Sequence, residues 1–95
     1  MLEKKSLVII PTFNESDNII QIIDEIFRLE DNFNILVVDD NSPDKTASLV
    51  KEKSPFYKDR LFLIEREKKL GIGPAYIEGF KWAIKNGYEN IYEMD

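Results

Sequence analysis

The chain has 95 residues, 43% of them hydrophobic, with no cysteine, no histidine and a formal net charge of −5. That is one small domain, expected to bury a little over ~60% of the surface its unfolded form exposes. The acidic balance argues against a general nucleic-acid-binding surface, and the missing residues exclude disulfides, thiolate chemistry and histidine bases.

Ser6–Pro11 (SLVIIP) reads as a buried strand, closed by a proline that cannot donate to a ladder. Thr12-Phe13-Asn14-Glu15-Ser16 is a polar loop, and a helix follows in which Ile19, Ile22, Ile23, Ile26 and Phe27 share one face. Asn14 or Ser16 is its candidate cap, and Asp17 lies in its first turn, where the helix dipole favours negative charge. Ile35–Val38 is a second apolar run, of the kind buried on both faces in the middle of a parallel sheet. It stops on Asp39 and Asp40, followed by the turn and capping residues Asn41-Ser42-Pro43-Asp44. Asp44 is expected to cap a helix over Lys45–Lys53, which ends before Ser54-Pro55. Leu61–Ile64 is the third strand and leads into the charged loop Glu65–Lys69.

The next helix is bounded by Pro74 at its first position and Gly87 at its C-terminal cap. Within it Ala75, Gly79 and Ala83 recur every four residues and form a small face suited to close packing on a sheet, with Ile77, Phe80 and Ile84 as bulk beside it. Asn90–Met94 is the fourth strand, and Asp95 stands at its end. The order βαβαβαβ predicts an α/β domain with a parallel sheet and helices on both faces. No apolar run approaches the ~20 residues of a membrane span, and Leu7–Ile10 is too short for a signal peptide, so a soluble, cytoplasmic chain is expected.

Two phosphate-binding patterns fail. Gly71-Ile72-Gly73 begins like a dinucleotide fingerprint, but Tyr76 stands where the third glycine belongs, and the run follows the third strand instead of the first. No GxxxxGK[ST] occurs. The glycines then read as a tight turn into the last helix. What remains is a set of strand ends: Pro11-Thr12-Phe13-Asn14-Glu15, Val38-Asp39-Asp40 and Met94-Asp95. In a parallel sheet these share one edge, the edge at which open α/β folds bind ligands. There Phe13 can offer a ring to a nucleobase, and Glu15 and Asp40 can accept hydrogen bonds from base or ribose. Asp95 can hold a hard divalent cation that neutralises a diphosphate. The plainer alternative is that the paired aspartates only cap a turn and the loop acids are solvated. Arg66, Lys68 and Lys69 read equally as a phosphate-attracting group or a solvated charge cluster.

The stretches VIIPTFNESDNI, ILVVDDNSPDKT, REKKLGIGPAYIEGFKWA and YEMD resemble, in order and spacing, the N-terminal half of dolichyl-phosphate (polyprenyl-phosphate) mannosyltransferases, of glycosyltransferase family 2 and the GT-A fold. The resemblance runs from Leu7 to Asp95. PT[YF]NE and the VDD strand are common to the whole family, whereas DDxSPDxT with REKKLGxGxAY belongs to the polyprenyl-phosphate branch. It implies that residues 1–95 are the nucleotide-sugar-binding N-terminal part of such a domain, cut after the fourth strand. It implies transfer of mannose from GDP-mannose to a membrane-embedded polyprenyl phosphate, with inversion and with Mg²⁺ or Mn²⁺. Pro11, Phe13, Glu15, Val38 and Asp40 would then contact the nucleoside, and Asp95 would be the catalytic and metal-binding acid. The parent enzyme would be associated with the cytoplasmic face of a membrane.

Three positions depart from the family pattern: Phe13 for a frequent tyrosine, Asn41 for a frequent glycine, and Pro74 for a small or polar residue. The second acid of the metal motif and the acceptor half are missing from these 95 residues. The chain alone is therefore expected to bind nucleotide weakly, not to turn over, and to self-associate through uncovered apolar surface. Another nucleotide-sugar donor such as UDP-glucose is the first alternative. The second is a two-component receiver domain, in which ILVVDD would supply paired Mg²⁺-binding acids. That reading leaves the first 33 residues unexplained.

Overall fold

The computed structural model describes residues 6–29, 32–67 and 71–94. Its elements follow the predicted order: β1 (Ser6–Thr12), α1 (Ile19–Leu29), β2 (Phe33–Asp39), α2 (Thr46–Lys53), a short 3₁₀ turn (Ser54–Tyr57), β3 (Leu61–Glu65), α3 (Ile72–Lys85) and β4 (Asn90–Glu93). The four strands form one parallel sheet in the order β3-β2-β1-β4.

Both faces of the central strands are buried, which is why their sequences are continuous apolar runs instead of alternating ones. Val8, Ile10, Ile35 and Val37 pack with Ile19, Ile23, Ile26 and Phe27 of α1 and Val50 of α2. Leu7, Ile9, Leu36 and Val38 pack with Ala75 and Ala83 of α3 on the other side. The chain winds outward from β1 to β3 and then returns past β1 to β4. A crossover of constant hand laid in the reverse direction puts its helix on the opposite face, so α3 is separated from α1 and α2. The reversal makes β1 the switch strand of the sheet, and crevices at such points, beyond the carboxyl ends, are where these folds take ligands.

The small-residue face of α3 behaves as predicted. Ala75 and Ala83 are buried, and a Cβ built on Gly79 would stand 2.8 Å from Ile9 Cγ2, so the helix lies almost backbone-to-side-chain on β1. Ile77 and Ile84 do not pack beside it. They are 57% and 70% exposed, because Ile77, two residues from Ala75 and Gly79, and Ile84, nine from Ala75, lie about 160–180° around the helix from Ala75 and face away from the sheet. The lateral bulk comes from Tyr76, Phe80 and Trp82, with Phe62 and Tyr88 against the indole. Gly71 is the N-terminal cap of α3, so the helix begins two residues before Pro74. No helix among the described residues is long and apolar enough to cross a membrane.

Candidate functional site

Three loops leave the carboxyl edge of the sheet side by side, after β1, β2 and β3. The first two are locked together through the backbone. Asn14 takes a left-handed conformation (φ 57°), which turns three successive amides of the first loop toward the second. Asn14 N–H donates to Ser42 Oγ at 2.9 Å, Glu15 N–H to Thr46 Oγ1 at 3.0 Å, and Ser16 N–H to Asp44 Oδ2 at 3.0 Å. The other oxygen of Asp44 accepts from the amide and hydroxyl of Thr46 at the start of α2. Asp44 thus takes the first amide of α2 and one amide of the turn before α1; the N-cap of α2 is Lys45, not Asp44 as the sequence suggested. Partial burial works to raise the Asp44 carboxyl, but the hydrogen bonds from Thr46 and Ser16 together outweigh it and hold the group below the usual aspartate value.

The adjacent acids Asp39 and Asp40 divide their work. Asp39 is 1% exposed and its oxygens are used internally: Thr12 Oγ1 and Ser42 Oγ each donate to Oδ1 at 2.6 Å, and Ser42 N–H donates to Oδ2 at 2.9 Å. It is a structural acid. Asp40 follows with its amide on the Thr12 carbonyl, and Asn41 (φ 55°) turns the chain away, the conformation expected of asparagine standing for glycine. Asp40 Oδ2 accepts the Gly71 amide at 3.2 Å, and Oδ1 lies 2.9 Å from Arg66 Nε. Both side chains of that ion pair are nearly buried, at 6% and 4% exposure. The φ of Gly71 (101°) is one that residues with a Cβ rarely adopt, and it is what brings the N-terminus of α3 up to Asp40.

A cleft of about 290 Å³ opens over these loops, lined by Pro11, Thr12, Phe13, Glu15, Asp40, Gly71 and Ile72. Four of the six residues singled out from sequence therefore share one cavity: Pro11, Phe13, Glu15 and Asp40. Val38 does not line it. Its side chain is fully buried against α3, because the strand alternation that sends Asp39 toward Thr12 sends Val38 into the sheet core. Asp95 lies outside the described residues, as do Lys68 and Lys69. Arg66 is not part of a solvated charge cluster, since it is buried against Asp40. Gly71 and Ile72 were legible only as a turn into a helix. Their place in the cleft depends on β3 lying next to β2, which no local pattern states.

Chemically the cleft presents an aromatic ring and two carboxylates. It suits a flat, donor-bearing ring with attached hydroxyls. Among the described residues no group of three acids, histidines or cysteines stands close enough to hold a metal ion.

The pattern of glycosyl transferase family 2 matches residues 7–88. The chain is 41% identical over 92 residues to polyprenol monophosphomannose synthase of Mycolicibacterium smegmatis, covering 97% of this chain and 35% of that protein. It is 35% identical over 89 residues to undecaprenyl-phosphate mannosyltransferase of Micrococcus luteus, covering 94% and 36%. It thus spans about a third of the length of these curated relatives. Among solved structures, a mannosyltransferase from Pyrobaculum calidifontis in complex with GDP-Man and Mn²⁺ superposes with a TM-score of 0.77 at 29% identity, covering 87% of this chain and 25% of that one. A match across nearly every described element, with the cleft at the sheet's switch strand, leaves the receiver reading without support: the chain belongs to glycosyltransferase family 2.

Proposed function

We propose that the chain is the nucleotide-binding part of a mannosyltransferase that moves mannose from GDP-mannose to a polyprenyl phosphate. The observation that carries this reading is the cleft in which Phe13, Glu15 and Asp40, from two different loops, face one cavity. Phe13 stacks on the base, Glu15 and Asp40 accept from base and ribose donors, and Pro11 forms the wall. The names of the relatives support mannose as the sugar and a polyprenyl phosphate as acceptor, and the GDP-Man complex supports guanosine.

In the reaction a phosphate oxygen of the acceptor attacks the anomeric carbon, and the bond from that carbon to the diphosphate breaks, its electron pair leaving with GDP. The acceptor is already anionic, so a site without histidine needs no strong base, and positioning carries most of the catalysis. Attack opposite the leaving group inverts the sugar carbon. The cation, Mn²⁺ or Mg²⁺, is assigned to Asp95 and the diphosphate on the resemblance alone, and Asp95 is assigned the catalytic acid's place on the same ground. A polyprenyl phosphate is a membrane lipid, so the reaction belongs at a membrane surface, which we take to be the cytoplasmic one. We further propose that these 95 residues self-associate through the apolar groove of about 310 Å³ between α1 and β4, where Leu29, Tyr92 and Met94 stand exposed.

Calorimetric titration with GDP, GDP-mannose and UDP-glucose, each with and without Mn²⁺, tests the reading. Guanine-selective binding is expected, weakened about 10-fold by Phe13→Ala through loss of stacking. Uridine selectivity would retain the family and replace the donor, and no binding to any of the three would remove the nucleotide site.

A further inference from the structure

We infer that Arg66 is a positioning residue for nucleoside recognition, acting through Asp40. The inference rests on the nucleotide-binding reading of the cleft and goes beyond it, since Arg66 is not among the residues that line the cavity.

Three observations carry it. First, Arg66 is 7% exposed at the end of β3, and burying a guanidinium there is costly unless it is paired. Its ionic contact is Asp40, with Nε 2.9 Å from Oδ1. Glu78 of α3 is farther away, at 3.9 Å, and is half exposed. Second, the guanidinium is not spent on holding the fold elsewhere. Nε and Nη2 are buried without hydrogen-bond partners, so Arg66 meets Asp40 as a charge contact, and the attachment of Arg66 to the sheet runs through its backbone amide to the Asp39 carbonyl at 2.8 Å. Third, Asp40 is gripped at both oxygens, by Arg66 at one and by the Gly71 amide at the other. A cleft-lining carboxylate with a buried cation beside one oxygen and an amide on the other is restricted in the directions it can turn. Its neighbour Asp39, saturated by hydroxyls and an amide, has no such cation.

If Arg66 is lost, Asp40 keeps the Gly71 amide but loses the buried charge beside Oδ1, and donors on the ligand meet a displaced acceptor. The probe is GDP, titrated calorimetrically into the chain and its variants, with thermal melts alongside. Arg66→Met is expected to weaken GDP binding about 30-fold, as truncating one member of a buried charge pair does. Arg66→Lys, which keeps a cation, is expected to recover most of that loss. In an Asp40→Asn background Arg66→Met is expected to change affinity less than about 3-fold, because the residue through which it acts is already neutral. Glu78→Gln is expected to bind GDP as the unaltered chain does.

Unchanged GDP binding by Arg66→Met, with the unaltered chain binding normally, would overturn the inference and leave the nucleotide site standing. Additive losses in the double variant would overturn it too, since Arg66 would then act independently of Asp40. A loss in Glu78→Gln equal to that in Arg66→Met would shift the role to α3 and likewise overturn it. Failure of the unaltered chain to bind GDP would overturn both readings together. Should Arg66→Met not fold, the cycle run with Arg66→Lys decides: a loss that disappears in the Asp40→Asn background supports the inference, and one that persists overturns it.

Discussion

Two neighbouring aspartates show how environment separates residues that a sequence presents as a pair. Asp39 accepts three hydrogen bonds inside the sheet edge, so replacing it by asparagine leaves a donor facing either the Ser42 amide or the two hydroxyls. The expected cost is about 2–3 kcal/mol of stability, read from urea unfolding, because a buried donor is left unsatisfied. Any effect of Asp39→Asn on nucleotide affinity is expected only through loosening of the loops. Asp40→Asn should do the reverse, costing affinity first. A large affinity loss from Asp39→Asn at unchanged stability would contradict this division. The pair was visible in the sequence, and so was the choice of Asp40 for the site. The tie of Asp39 to Thr12, 27 residues away, was not, because it depends on β1 and β2 pairing in the register that sets Thr12 opposite Asp39.

Among the elements, α3 offers a comparison within one helix. Gly79→Ala sets a methyl 2.8 Å from Ile9, an overpacking cost of about 1–3 kcal/mol that outweighs the gain of about 1 kcal/mol in helix propensity. Gly73→Ala meets nothing within 4 Å apart from its chain neighbours, and Pro74 offsets the gain by disfavouring helical backbone in the Cβ-bearing residue before it. Gly79→Ala is therefore expected to lower the thermal midpoint and Gly73→Ala to leave it nearly unchanged, and equal effects would mean that α3 does not lie this close to β1. The loop between β2 and α2 makes a pH prediction. Asp44 is held below its ordinary value in the folded chain, so its hydrogen bonds stabilise the fold above about pH 4 and are lost as pH falls through the lowered value. The difference in urea midpoint between the unaltered chain and Asp44→Asn should be full near neutrality and shrink below about pH 4. A difference independent of pH would show that the Asp44 carboxylate does not hold these loops.

For the molecule as a whole, β4 pairs with β1 alone among the described strands, and apolar side chains stand exposed next to it. Sedimentation velocity at rising concentration is expected to show self-association that Leu29→Glu reduces, the substitution putting a charge into the groove. A monomer at the highest soluble concentration would refute it. The exposed ion pair of Lys51 with Glu65, by contrast, is expected to add little, since both groups are well solvated.

The sequence alone determined the order and type of the elements, because apolar runs of buried-strand type, helical periodicity and turn residues are properties of adjacent residues. It also picked out strand ends that meet at the cleft: Phe13, Glu15 and Asp40 stand where apolar runs give way to polar loops, and Pro11 closes the first of those runs. Tertiary structure decided which of these meet. Val38 turned inward, since neighbouring residues of a strand face opposite sides and its neighbour Asp39 faces Thr12. Gly71, Ile72 and Arg66 joined the site because β3 lies beside β2 and delivers its loop to Asp40. The side chains of Ser42, a turn residue in the sequence reading, Asp44, its expected helix cap, and Thr46 became clasps for the first loop. Pairing across 28 to 31 residues is set by strand order and register, and no window of adjacent residues contains it.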